Sequence, residues 1–342
     1  MLAQFVKRYL PDVETTMQQV LDTRLKDEPD FGLMLRYALG WVDENGNPNP
    51  TATGKRLRPT LLLLCNEAAG GNYRAALPAA AAVELLHNFS LIHDDIQDAS
   101  TTRHGRPTVW KIWGEANAIN AGDALFTLAY AALDGLMETL EPKLALRIWR
   151  IFNETNLELT RGQHLDMRFE KQAVVSVDEY ISMLKGKTGA LLATCAQIGA
   201  LSALGSLSDD NETTAQHYAD FGLHIGIAFQ IRDDILGIWG DPKVTGKSIA
   251  TDITSRKKSL PVLFGLSRSA ELTAVYERKT FTHADVHEAV MLLDEINARD
   301  YSREQELTYY NKAMTALDAA NPQGDQADDL RKFVDALFQR LY

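Results

Sequence analysis

Residues 87–98 read His-Asn-Phe-Ser-Leu-Ile-His-Asp-Asp-Ile-Gln-Asp and close an apolar, alanine-rich run. The run has helical periodicity, so a helix is expected over 74–98 with carboxylates gathered at its end. On that helix Asp94 and Asp98 are i and i+4 and share one face, one turn apart. Carboxylates set against apolar residues are costly to bury unless something positive meets them. This pair suits a hard, oxygen-seeking divalent cation, Mg²⁺ above all. A second acidic pair, Asp233-Asp234 in the stretch FQIRDDILGIWGD (229–241), follows roughly 140 residues later, again directly after apolar residues. Two such grips facing each other across a cavity would hold a diphosphate through bridging metals, which reads as an enzyme of ionised phosphate chemistry.

Outward from these runs, helix-period patterns recur almost everywhere and strand-type alternation is scarce. Helices are expected at 2–26, 30–41, 57–69, 74–98, 115–139, 142–170, 177–184, 188–205, 211–239, 258–268, 283–297, 302–320 and 324–341. Breakers stand at 43–54 (DENGNPNPTATG), 70–71, Pro142, 240–248 and 321–326. None is long enough to link domains, and neither a fixed-period repeat nor a low-complexity tract is evident. The expectation is one all-α domain over 1–342, a helical bundle around a central apolar cavity.

The 342 residues are 45% hydrophobic, enough for a sizeable core. A net charge of −11 and a pI near 5.2 argue against nucleic acid as a partner. Cys65 and Cys195 lie in apolar surroundings and read as buried free thiols of a reducing cytosol. The N-terminus lacks the basic start and cleavage site of a signal peptide. Residues 189–207 carry no charge for 19 positions, the length of a membrane span. They are rich in small residues and contain Gln197, so a helix buried by its neighbours explains them better than stable membrane insertion. A soluble, cytoplasmic protein is expected.

Basic residues alternate with the acidic runs. Lys55 and Arg58, in TGKRLRP (53–59), open an apolar helix and are either a solvated basic turn or a phosphate grip. Arg103, His104 and Arg106 follow the first acidic run, where they either neutralise its carboxylates or share an anionic ligand with bound metals. Gln163 and Asp166 are i and i+3, and Lys187 and Thr188 are placed at a helix start, where backbone N–H groups favour an anion. Lys247, Asp252, Arg256, Lys257 and Lys258 come just after the second acidic run.

The order GKRLRP, HNFSLIHDDxxD, R-x-G-x-PT, GQ-x-x-D, KT, FQ-x-x-DD, GK…D…K-x-x-LP resembles the trans-isoprenyl diphosphate synthases, the all-α prenyltransferases that make farnesyl, geranylgeranyl and longer diphosphates. The motifs run from residue 53 to 261. The resemblance implies that Asp94 and Asp98 ligate two Mg²⁺ ions on an allylic diphosphate, with Asp95 in support. Asp233 would ligate a third, with Asp234 behind it. Arg103, Lys187 and Lys257 would contact the allylic diphosphate and Lys247 would close over it. Lys55, Arg58 and His87 would hold isopentenyl diphosphate, and Thr188 and Gln230 would line the carbocation region. Family membership also implies a homodimer.

Two departures stand out. The second motif ends at Gly237 where many members have Asp; since Asp233 makes the direct metal contact, Asp at this position is expected to change the rate little. His104 stands where Arg usually grips isopentenyl diphosphate, with Arg106 as a possible substitute. Product length is expected to depend on Phe89, Ser90 and Leu86, which lie five, four and eight residues before Asp94. Phe89 falls about 7.5 Å below the first carboxylate on a helix rising about 1.5 Å per residue. In the family an aromatic there, a small residue next and no insertion in the motif accompany a C20 product, with farnesyl diphosphate the alternative. A class I terpene cyclase usually carries an NSE-type metal motif, which is absent, and the isopentenyl-type basic loop argues against a squalene-synthase-like enzyme. The three metal-binding Asp residues argue against a non-catalytic regulatory subunit.

Overall fold

Pro78 near its start, four consecutive alanines (79–82) and the absence of an internal breaker make Leu77–Gln97 a helix, and every residue from Ala79 to Leu86 is buried. The computed structural model containing it describes residues 2–49, 54–172, 174–240 and 250–339. Its helices are α1 (Leu2–Arg24), α2 (Pro29–Ala38), α3 (Leu57–Ala68), α4 (Leu77–Gln97), α5 (Val109–Trp113), α6 (Glu115–Leu133), α7 (Leu136–Thr139), α8 (Pro142–Lys171), α9 (Val177–Leu184), α10 (Ala190–Leu204) and α11 (Asp209–Trp239). They continue with α12 (Thr251–Thr254), α13 (Leu260–Leu266), α14 (Ala270–Tyr276), α15 (His283–Glu295), α16 (Ala298–Ala319) and α17 (Gly324–Gln339). The only strands among the described residues are β1 (Thr102–Arg103) and β2 (Arg106–Pro107), an antiparallel pair. The all-α expectation holds.

Contacts gather the chain into two compact units. The first is Met1–Trp149 with Ile198–Glu212 and Gln323–Leu330; the second is Arg150–Gln197 with Thr213–Pro322 and Arg331–Tyr342. In the first, α4 runs against α6, α1 and α3. Small side chains at 79–82 permit close backbone approach, and Val83, Leu85 and Leu86 are fully buried, each stabilising by about 1.5–3 kcal/mol. The entry to α3 is fixed by Arg56, whose guanidinium donates to Glu14 (2.8 Å), Glu84 (2.8 Å) and the Leu39 carbonyl (2.7 Å). In the second unit, Ile227, Ile231 and Ile235 of α11 share a core with Tyr180, Ile181 and Leu184 of α9 and with Leu260 and Leu263 of α13.

The uncharged stretch 189–207 folds mainly as α10, with Leu191, Cys195, Ala196, Ile198, Ala200 and Leu201 buried. Cys65 and Cys195 are both free and buried. One helical run among the described residues, Tyr73–Gln97, is long and apolar enough to cross a membrane, and it is largely the buried α4.

Candidate active site

The side chains singled out in the sequence fall into two clusters, one in each unit. In the first, Asp94 is half-buried in the last turn of α4, and Asp98 is exposed at the helix C-cap. The helix stops there because Ala99 adopts the left-handed conformation (φ 49°). Ala99 N–H then donates to Ile96 O and Ser100 N–H to Asp95 O, the paired bonds of a Schellman cap. The partial negative charge of the helix C-terminus adds to the two carboxylates. Asp95, 5% exposed, turns the other way and receives Arg103 at 2.8–2.9 Å. Burial pushes its carboxyl above the ordinary range and the guanidinium pulls back.

Basic side chains surround that helix end. Arg58 Nη1 lies 3.0 Å from His87 Nε2. A guanidinium only donates, so Nε2 accepts and the His87 proton sits on Nδ1. Desolvation, then the charges of Arg58, Arg103, Arg56 and His104, hold His87 well below the usual histidine range, so it is neutral at pH 7. His104 and Gly105 (φ 52° and 76°) form the two-residue turn between β1 and β2, a turn that needs left-handed backbone at both positions. His104 too is lowered, by partial desolvation and then by Arg103 and Lys55. Lys55, Arg58, His87, Arg103 and His104 therefore form one basic cluster beside the Asp94–Asp98 end. Arg106 is occupied elsewhere: it donates to the Val42 carbonyl (2.8 Å) and lies over the Tyr37 ring (3.9 Å), so it does not substitute at His104.

In the second unit the focus is Asp234, fully buried in α11. Tyr180 O–H and Leu260 N–H (3.2 Å) donate to one oxygen, Gln230 Nε2 (3.4 Å) donates to the other, and Lys257 Nζ lies 3.6 Å away. Burial raises the Asp234 pKa against these partners. Thr188 donates to Gln230 Oε1 at 3.3 Å, which joins both to the same network. Asp233, next in sequence, is half-buried. Protein crowding disfavours the Lys257 charge, but the Asp234, Asp252 and Asp233 carboxylates outweigh it and hold its pKa above the ordinary lysine value. Lys187 is ion-paired with Asp166 of α8.

Several expectations are corrected here. Lys187 and Thr188 do not open a helix: α9 passes through a π-helical turn, Lys185–Gly189, into α10, and Ala190 N–H bonds Lys185 O. The free N–H groups expected for an anion are spent inside that helix. Lys258 donates to the Phe169 and Gln172 carbonyls and caps α8, and Arg256 donates to the Tyr276 and Arg278 carbonyls. Lys257 alone of those three cations faces the acidic group; Lys247 lies outside the described residues. Leu86 is enclosed core, and Ser90 donates back to the His87 carbonyl. Phe89 packs on His93 and on Phe126 of α6, with ring centroids 4.7 and 5.0 Å apart. Tyr180, Arg56 and Phe126 escaped the sequence reading.

Among the described residues no three His, Cys, Asp or Glu side chains converge on a protein-only metal cage. Mg²⁺ does not require one, because it is commonly held by one or two carboxylates with substrate phosphates and water completing its shell. Asp94 and Asp98 at a helix C-terminus, and half-buried Asp233, fit that kind of grip.

Carboxylates at helix ends beside clustered cations, in an almost entirely helical chain, define an isoprenoid-synthase type of protein. The chain belongs to the polyprenyl synthetase family, the trans-isoprenyl diphosphate synthases, which its residues 40–293 match. It is 43% identical over 250 residues to the (2E,6E)-farnesyl diphosphate synthase of Mycobacterium tuberculosis (strain ATCC 25618 / H37Rv), covering 73% of this chain and 66%, just under two thirds, of that protein. It is 42% identical over 265 residues to the geranylgeranyl diphosphate synthase of the same organism, covering 76% and 73% of the two chains. The crystal structure of a polyprenyl synthetase from Streptomyces coelicolor A3(2) superposes with a TM-score of 0.89 at 34% identity, over 98% of this chain and 99% of that one.

Proposed function

We propose that the chain is a Mg²⁺-dependent trans-prenyltransferase. It joins isopentenyl diphosphate to an allylic diphosphate (dimethylallyl, geranyl or farnesyl), with geranylgeranyl diphosphate as main product and farnesyl diphosphate as the alternative. The observation that carries this reading is the basic cluster of Lys55, Arg58, His87, Arg103 and His104 beside the Asp94–Asp98 helix end, within one unit. A carboxylate grip and a basic grip side by side suit two diphosphates, whereas a terpene cyclase has only one to hold.

Arg58 and Lys55 supply donors for the isopentenyl diphosphate, and neutral His87 fixes the Arg58 fork by accepting from it. Mg²⁺, about three ions held by Asp94, Asp98 and Asp233, would neutralise the allylic diphosphate as it leaves. Arg103, Lys187, Lys257 and Lys247 add cationic stabilisation to the same departing group. As the allylic C–O bond breaks, the isopentenyl double bond attacks the freed carbon. A proton then leaves to the departing diphosphate, which restores the double bond. The oxygen dipoles of Thr188 and Gln230 favour the transient cation, and apolar walls keep water from quenching it. We also propose a cytoplasmic homodimer without stable membrane insertion.

The test is release of inorganic diphosphate from dimethylallyl and isopentenyl diphosphates. Release should require both substrates and Mg²⁺. Asp94→Ala and Asp233→Ala should each lower it by about a thousandfold or more, roughly 4 kcal/mol of barrier, with the helical fold intact. Near-normal turnover in either variant would remove the metal assignment. Release from the allylic substrate alone would indicate a cyclase, and no release at all a non-catalytic subunit.

A further inference from the structure

Gly237 and Asp252 share one space. A Cβ built on Gly237 would lie 2.4 Å from Asp252 Oδ2, 2.5 Å from its Cγ and 2.7 Å from Oδ1. No side chain fits at 237 unless Asp252 moves. The carboxylate therefore rests on α11 one turn beyond Asp233, although it comes from α12, 15 residues further along the chain. Asp252 also holds Lys257 twice. Its carbonyl accepts the Lys257 backbone N–H at 2.8 Å, and its Oδ2 lies 3.8 Å from Lys257 Nζ, whose other partner is Asp234 Oδ1 at 3.6 Å. The ammonium is shared between two carboxylates while its side chain stays 43% exposed, within reach of an incoming anion.

We infer that Asp252 is a positioning residue: it supplies from α12 the carboxylate that the side chain at 237 lacks, and holds Lys257 where it meets a diphosphate. Gly237 is what admits it. The inference deepens the function proposed above by taking Lys257 as a diphosphate contact. It also reverses the expectation that Asp at 237 would matter little, because that side chain would displace the Asp252 carboxylate and crowd a third charge against Asp234.

The test moves the carboxylate between the two positions and reads the binding of inorganic diphosphate in the presence of Mg²⁺ by calorimetry, together with kcat and KM for the allylic substrate. Asp252→Ala and Gly237→Asp should each weaken diphosphate binding about tenfold, as expected for loss of one partner of a close charge pair, and raise KM more than they lower kcat. The double variant Gly237→Asp/Asp252→Ala should recover to within about threefold of the parent. A double variant that folds like the parent but binds no better than Asp252→Ala would overturn the inference. If the double variant does not fold, Asp252→Asn decides, since it keeps the shape without the charge. Weakened binding supports the assignment and parental binding refutes it. A parent that binds Mg²⁺-diphosphate yet forms no prenyl product would end the proposed function while leaving this binding series decisive.

Discussion

His104 is the residue at which this chain departs most consequentially from its relatives' pattern. Arg103 and Lys55 disfavour a further proton on its ring, so at pH 7 it offers hydrogen bonds without charge. His104→Arg is expected to lower KM for isopentenyl diphosphate by about threefold to tenfold, a gain of roughly 0.7–1.4 kcal/mol, with little change in kcat. Steady-state kinetics decide it, and an unchanged KM would place the side chain clear of the substrate. Ala99 carries a different cost, a left-handed backbone in a residue with a Cβ, about 1 kcal/mol. Ala99→Gly should raise the unfolding free energy by roughly 0.5–1 kcal/mol in denaturant titration, and a loss of stability would mean that the Schellman cap tolerates alanine without strain. At this scale the sequence was informative where chemistry is written in residue type, as in Asp94, Asp98 and Arg58. It was silent on Tyr180 and on Arg56. A tyrosine in an apolar helix carries no mark of its buried carboxylate partner, and Arg56 differs from Lys55 and Arg58 only through a burial that depends on Glu14 and Glu84.

The elements explain where the side chains of the second cluster come from. Residues 186–189 read Gly-Lys-Thr-Gly and suggested a helix start, yet the backbone continues from α9 through a π turn into α10. The cause is a close crossing with α8. A Cβ on Gly162 would lie 2.1 Å from Lys187 N, and one on Gly186 would lie 2.7 Å from Glu158 O. Two glycines let the backbones meet, and the extra residue of the π turn sets Lys187 opposite Asp166 and Thr188 opposite Gln230. Gly162→Ala should therefore cost about 1–3 kcal/mol of stability, the range for overpacking, and should lower turnover as the Lys187 turn shifts. Chemical denaturation and initial rates measure the two effects. A neutral result in both would show that the crossing can open without loss. Helix periodicity cannot reveal such a turn, since one inserted residue hardly disturbs a pattern over 177–205.

For the whole molecule, the long helices lie within a few residues of their expected ranges, because each buries an apolar face whose period is visible. The short helices α5, α12 and α14 were missed: four to seven residues are too few to show a period. The 3₁₀ turn Tyr73–Ala76 before α4, and the break between α6 and α7, were likewise absorbed into single helices. Product length belongs to this scale, since it depends on how far an apolar tail can run from the metals. Phe89 leans on Phe126, which leans on Tyr130 of the same helix with ring centroids 5.3 Å apart. The proposed floor is thus an aromatic stack rather than one side chain. Phe89→Ala should shift products to C25 or longer, and an unchanged product spectrum in a folded, active variant would place the floor elsewhere.

The most direct measurement of the central claim is chromatography with mass detection of the products formed by the purified protein from dimethylallyl and isopentenyl diphosphates with Mg²⁺. The account predicts linear prenyl diphosphates lengthened by successive five-carbon units and ending mainly at C20. A cyclic hydrocarbon, or no product longer than the starter, would contradict it.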